Sequence, residues 1–200
     1  MRTPNEQDRS RIRGIAFDLD GTLVDSALDF SAIRRELGFP EGVGLLEHIE
    51  TLSDSAAVAR AHAVINEHEM RGAARASWMP GARSLLEALN EAGLPTAILT
   101  RNSRAATRRT CEALDIPISR VLTRDDCAPK PNPEGLLRIA RHFGLAPVRM
   151  MYVGDFIDDL TAAKRAGMAG CLYRNPRNRA FVADASYVID HFKQLAVLAG

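Results

Sequence analysis

From about residue 84 onward, apolar runs of strand length alternate with helix-patterned stretches, and this rhythm restricts the fold more than any other feature. Residues 84–92 read as a helix stopped by Gly93, 96–99 as a buried strand, and Ser103 as the cap of a helix reaching Leu114. Val121 and Leu122 make a short strand pattern, and Asn132 and Pro133 open a helix that Gly144 ends. Strand patterns follow at 150–153, 171–173 and 187–189, with a helix over 160–166 and a closing apolar stretch at 192–198. Alternation of this kind predicts an α/β fold, a doubly wound, mostly parallel sheet with helices on both faces.

The first strand, Ile15 to Phe17, stands apart. Later strand centres lie about 20 to 30 residues apart, the length of one strand–helix–strand crossover. Phe17 and Ile98 are separated by far more. The helix at 84–92 accounts for one crossover, so the surplus, 27–79, is an insert. It reads helical with no good strand, since Leu28, Phe30, Ile33 and Leu37 recur at helical spacing. Leu45, Leu46, Ile49 and Leu52 follow, then Val58, Ala61, Ile65 and Met70. The expected division is a core of residues 1–26 and 80–200 with a small helical cap of residues 27–79. Because the cap leaves just behind the first strand, it suits a lid.

That strand ends in two carboxylates, Asp18 and Asp20, followed by Gly21. Residues i and i+2 leave a strand on the same side, and glycine lets the backbone turn sharply. Two buried aspartates repel and resist ionisation. A divalent cation, a phosphate, or both would justify that cost; an ordinary Asp-Gly hairpin turn is the plain alternative. In a parallel α/β sheet, ligands bind at the carboxyl ends of the strands. There the sequence places Asp18 and Asp20, then Thr100, Lys130, and Asp155 with Asp158 and Asp159. Each has a dull reading: Thr100 as a helix cap, Lys130 as a solvent-facing loop lysine, Asp158 and Asp159 as acids favoured at a helix start. Their joint order favours a common site. Carboxylates with few His or Cys nearby describe a hard, oxygen-seeking site suited to Mg²⁺, and a lysine with a hydroxyl suits a phosphoryl group.

Composition narrows the partners. Hydrophobic residues make up 46% of the chain, enough for a sizeable core, and 26 Lys plus Arg against 25 Asp plus Glu exclude a broadly basic nucleic-acid binder. No apolar run reaches the roughly 18 residues of a membrane span. The polar residues 1–13 lack the apolar middle of a signal peptide and read as a frayed leader. Cys111, Cys127 and Cys171 are odd in number with no metal-like spacing, as free thiols in a reducing cytosol would be. The basic residues comprise 23 Arg and only three Lys, which singles out Lys130.

FDLDGTLVDS, ILTRNS, APKPNPEG and VGDFIDDLTAAKRAG, with WMPGA where the insert returns, resemble the four ordered motifs of the haloacid dehalogenase-like (HAD) hydrolases. The likeness is nearest to the phosphoglycolate phosphatase-like branch, with its small helical cap. It implies a Rossmann-like core and a Mg²⁺-dependent phosphatase acting on a small phosphorylated metabolite through an aspartyl-phosphate. Asp18 would be the nucleophile and Asp20 the acid–base. Thr100, Lys130 and the backbone N–H groups of Leu19 and Arg101 would bind the phosphate. Asp18, the main-chain carbonyl of Asp20 and Asp155 would hold Mg²⁺, with Asp159 supporting from behind; Asp158 falls where the family varies. The implied enzyme is cytoplasmic, monomeric or dimeric, with neither nucleic acid nor membrane as partner.

Asp20 argues against a dehalogenase, which lacks the second acid, and the insert has no Lys for a phosphonatase Schiff base. A sugar-phosphate mutase of the same superfamily and a non-catalytic binding protein retaining the fold are the alternatives; Thr22 favours the phosphatases. Phe156 stands where phosphoglycolate phosphatases commonly carry a small polar residue. The cap is expected to choose the substrate, while the core reads the transferred phosphate.

Overall fold

A computed structural model describes residues 2–198. The chain starts with α1 (Glu6–Arg11) and β1 (Gly14–Phe17), and β2 (Val24–Asp25) leads into three helices, α2 (Phe30–Leu37), α3 (Leu45–Glu50) and α4 (Ser55–Ala73). It returns through β3 (Ser77–Trp78) and then alternates: α5 (Ala82–Glu91), β4 (Thr96–Leu99), α6 (Arg104–Ala113), β5 (Arg120–Leu122) and α7 (Glu134–Phe143). The remainder is β6 (Met150–Gly154), α8 (Ile157–Ala166), β7 (Ala169–Tyr173) and β8 (Tyr187–Ile189), with short 3-10 turns between and after them.

Six strands form one parallel sheet in the order β5-β4-β1-β6-β7-β8, the doubly wound α/β architecture expected. The chain winds outward from β1 through β4 and β5, then crosses to β6 and continues through β7 to β8. Winding direction therefore reverses beside β1, and the crevice at the carboxyl ends of β1 and β6 is where such a sheet binds ligands.

Alternation along β1 builds two cores. Ile15 and Phe17 join Ile98, Met151 and Val153 beneath Leu85 and Leu89 of α5 and Phe192 and Leu195 of the closing segment. Ala16 joins Ala97, Leu99 and Tyr152 on the other face, under α7 and α8, where Ala162 and Ala163 allow close packing. Helices α2 to α4 carry a separate small cluster of Ile33, Leu45, Ile49, Ala61 and Ile65. Among the described residues no helix is long and apolar enough to cross a membrane.

Three expectations are corrected. The polar start does not fray: Asn5 and Asp8 form a capping box for α1, and Ile12 behind it is fully buried. Asp8 is also buried, accepting from Arg2 at 2.5 Å and from the Tyr187 hydroxyl at 2.8 Å. The stretch 27–79 is not free of strand, since Ser77 and Trp78 pair antiparallel with Asp25 and Val24. Two residues are too few to show a period. Finally, α8 begins at Ile157 rather than near Leu160, because the Asp159 carboxylate accepts the Phe156 N–H at 2.9 Å and caps the first turn.

Candidate active site

Asp18 is the first residue past β1, and its N–H still donates to the Val153 carbonyl at 2.8 Å, so its side chain leaves at the β1–β6 crevice. Its Oδ1 accepts from Lys130 Nζ at 2.5 Å, and the same ammonium donates to Asp159 Oδ1 at 2.6 Å. Lys130 is only 4% exposed, with Nζ 5.6 Å from the centroid of the Tyr152 ring. The solvent-facing reading of Lys130 is thus excluded.

The turn after Asp18 is closed by Gly21 N–H to the Val24 carbonyl at 2.8 Å and Val24 N–H to the Leu19 carbonyl at 3.0 Å. Gly21 has φ +77°, and a Cβ there would stand 2.7 Å from Asp155 Oδ2. Handedness and space both demand glycine. The turn delivers Asp20, whose carboxylate accepts from Asn102 Nδ2 and from Ser26. At the end of β6, a Cβ on Gly154 would fall 2.3 Å from Asp159 Cγ, so this glycine lets Asp159 reach Lys130. Asp155 follows, its Oδ2 accepting from Asn175 Nδ2 at 3.3 Å and its carbonyl from Asn178 Nδ2 at 2.8 Å. Buried Thr100 follows β4, its N–H bonded to the Leu122 carbonyl at 3.0 Å.

Carboxylate oxygens of Asp18, Asp155 and Asp159 lie within 4.8 Å of one another. Burial pushes the Asp18 carboxyl well above the usual range; Lys130 opposes the rise, and Asp159 and Asp155 add to it. Burial, then repulsion from Asp159, raises Asp155 to about 6. Burial would lower Lys130, but Asp159 and Asp18 more than reverse this and hold it charged. Three carboxylates thus share one ammonium, so that ionising all three would leave two negative charges without compensation. A small dication with a taste for hard oxygen fits that deficit, as Mg²⁺ does. Asp159 is already engaged by Lys130 and the Phe156 N–H, which suits support of a metal rather than direct contact. Burial also raises the Asp20 carboxyl, against hydrogen bonds from Ser26 and Asn102, and so favours its protonated form.

The structure brings Asp18, Asp20, Lys130, Asp155 and Asp159 to this rim, with Thr100 and buried Leu19 beside them. The Arg101 side chain points elsewhere, pairing with Glu47 of α3 at 2.5 Å and with Asp158 at 2.7 Å. Asp158 is therefore Arg101's partner, apart from the acid cluster. Sequence reading assigned nothing to Ser26, Asn102, Asn175, Asn178, Glu47 or Glu69. Asn175 and Asn178 had one signal, a position just behind a strand at the same rim.

The pattern of the haloacid dehalogenase-like hydrolase family matches residues 12–167, which contain Asp18, Asp20, Asp155 and Asp159. The chain belongs to the haloacid dehalogenase-like hydrolases. A HAD-like hydrolase domain-containing protein of Arabidopsis thaliana is 33% identical over 176 residues, 82% of this chain and 71% of its own length. Phosphoglycolate phosphatase of Escherichia coli is 30% identical over 201 residues, 78% of this chain and 79% of that enzyme. A crystal structure described as a predicted phosphoglycolate phosphatase from Haemophilus somnus has the same fold, with a TM-score of 0.72 at 21% identity over 95% of this chain and 99% of that one. The HAD chain is thus an enzyme of the hydrolase class, in the phosphoglycolate phosphatase-like branch that the motifs imply.

Proposed function

We propose that this HAD hydrolase is a Mg²⁺-dependent phosphatase that cleaves small phosphomonoesters through an aspartyl-phosphate on Asp18. The reading is carried by the buried Asp18–Lys130–Asp159 chain at the end of the central strand, with Asp20 two residues on. Lys130 ties down Asp18 Oδ1, leaving Oδ2 to attack phosphorus. As the Oδ2–P bond forms, the ester P–O bond breaks and Asp20 gives its proton to the leaving oxygen. Burial favours the protonated Asp20 that this step needs. Asp20, now ionised, takes a proton from water; the water oxygen attacks phosphorus, and the bond to Asp18 breaks to release phosphate. The Thr100 hydroxyl and the N–H groups of Leu19 and Arg101 donate to the phosphoryl oxygens, and Lys130 offsets their charge. Mg²⁺ held by Asp18, the Asp20 carbonyl and Asp155, with Asp159 behind, would supply the remaining positive charge for the phosphoryl oxygens.

Residues 27–79 act in this reading as a cap that excludes water and admits small polar esters. The name of the Escherichia coli relative supports phosphate esters as the substrate class. The three unpaired thiols fit the cytoplasm. Hydrolysis of an aryl phosphate with Mg²⁺, lost in excess chelator and restored by Mg²⁺, is the expected result. Full activity in chelator would contradict the metal assignment. Failure to hydrolyse any aryl phosphate or any member of a phosphorylated-metabolite panel would contradict the function.

A further inference from the structure

Glu69 lies on α4, outside every motif used above, yet it is only 6% exposed. A buried carboxylate persists when it is fully engaged. Its Oε2 accepts the Ser103 N–H at 3.0 Å, and its Oε1 pairs with the Arg124 guanidinium. Arg124 in turn donates to the Arg101 carbonyl at 2.8 Å. These two contacts bracket Asn102. The Arg101 carbonyl and the Asn102 N–H share one rigid peptide plane, and the Ser103 N–H belongs to the next. Both planes flanking Asn102 are therefore fixed to one carboxylate, one directly and one through Arg124. The Asn102 N–H donates to Thr100 Oγ1 at 3.2 Å, and its side-chain amide donates to Asp20. Nearby, Ser103 Oγ hydrogen-bonds Asn66 Oδ1 at 2.7 Å, and α4 packs along α6.

We infer that Glu69 is a positioning residue for the phosphate-binding loop: from the inserted helix α4 it sets the peptide planes that aim Thr100 at the substrate phosphate and Asn102 at Asp20. The insert then does more than choose substrates, because the loop of residues 100–103 takes its working shape only with α4 seated on it. The inference rests on the phosphatase reading of the site.

The test compares four variants with the parent, measuring phosphate affinity by calorimetry with Mg²⁺, kcat and KM on an aryl phosphate, and thermal unfolding. Glu69→Ala removes both anchors, Glu69→Gln keeps an acceptor for Ser103, and Arg124→Met frees the Arg101 carbonyl and takes away the cation of Glu69 while leaving its bond to the Ser103 N–H. Asn66→Ala breaks a contact between α4 and Ser103 without touching either peptide plane. Displaced loops cost about a hundredfold in rate, and lost supporting contacts roughly tenfold in affinity. Those losses are expected for Glu69→Ala, with Glu69→Gln recovering part of each and Asn66→Ala changing only the unfolding temperature. Parental phosphate affinity and kcat in folded Glu69→Ala would overturn the inference, as would losses matched by Asn66→Ala at equal unfolding temperature. If Glu69→Ala does not fold, Arg124→Met decides: weakened phosphate binding supports the inference, and parental values in the folded variant overturn it. A parent that neither binds phosphate nor turns over an aryl phosphate would instead overturn the phosphatase reading on which it rests.

Discussion

Burial gives Lys130 two separable duties. At 4% exposure, bridging Asp18 and Asp159, it offers a charge to the phosphate and restrains the repulsion among three acids. Lys130→Met should therefore lose roughly a hundredfold or more in kcat. It should also destabilise the metal-free protein by about 3 kcal/mol, because it strands buried carboxylates. Mg²⁺ should recover part of that stability without restoring the rate. Kinetics beside thermal unfolding, with and without Mg²⁺, would check both; parental stability in chelator would make Lys130 an ordinary loop lysine. Asp155 carries the opposite sign. Burial and Asp159 raise its carboxyl from 3.8 to about 6. A carboxyl raised on folding contributes stability below its unfolded value and loses it as pH rises through the folded one. In chelator at about pH 7.5, Asp155→Asn should be more stable than the parent by about 1–3 kcal/mol, an advantage gone by about pH 4. Added Mg²⁺ should stabilise the parent more than the variant. Equal responses of the two unfolding temperatures to Mg²⁺ would remove Asp155 from the metal set.

Among the elements, α1 depends on tertiary partners more than on any pattern of its own. Burial alone would raise the Asp8 carboxyl, but hydrogen bonds from Tyr187 and the Asn5 N–H, with Arg2, hold it below the usual range. A carboxyl lowered on folding contributes stability above its unfolded value and loses it as pH falls through the folded one. Asp8→Asn should then be less stable than the parent by about 1–3 kcal/mol at neutral pH, with the gap narrowing below about pH 4. A constant gap across denaturant titrations from neutral to acid pH would contradict this origin. The same dependence explains what could be read beforehand. β1, β4, β6 and β7 were legible because buried parallel strands are short apolar runs, and the glycines and polar residues behind them marked the rim. β3 was hidden by its length, and α1 because its partner Tyr187 lies at the far end of the chain. Asp18, Asp20, Lys130 and Asp155 were legible as ordered motifs. Glu69 was not, since in sequence it is one more charge on a polar helix beside Glu67 and His68. Only packing of α4 on α6 separates the buried acid from the exposed ones.

Over the whole molecule, the reversal of winding beside β1 is what gathers the chemistry. Asp18 and Asp20 come from one side of the crevice and Asp155 and Asp159 from the other, while Lys130 arrives from the loop before α7. The insert between β2 and β3 is joined to the loops at this rim by Glu47 with Arg101 and by Glu69 with Arg124. Everything in the proposed reaction depends on Asp18 carrying the phosphate. Rapid quenching during turnover of a phosphate-labelled aryl ester with Mg²⁺, followed by peptide mapping, tests that claim directly. The label should appear on Asp18, be absent from Asp18→Asn, and persist on Asp18 in Asp20→Asn when the leaving group is good. Label on any other residue, or parental turnover by Asp18→Asn, would contradict it.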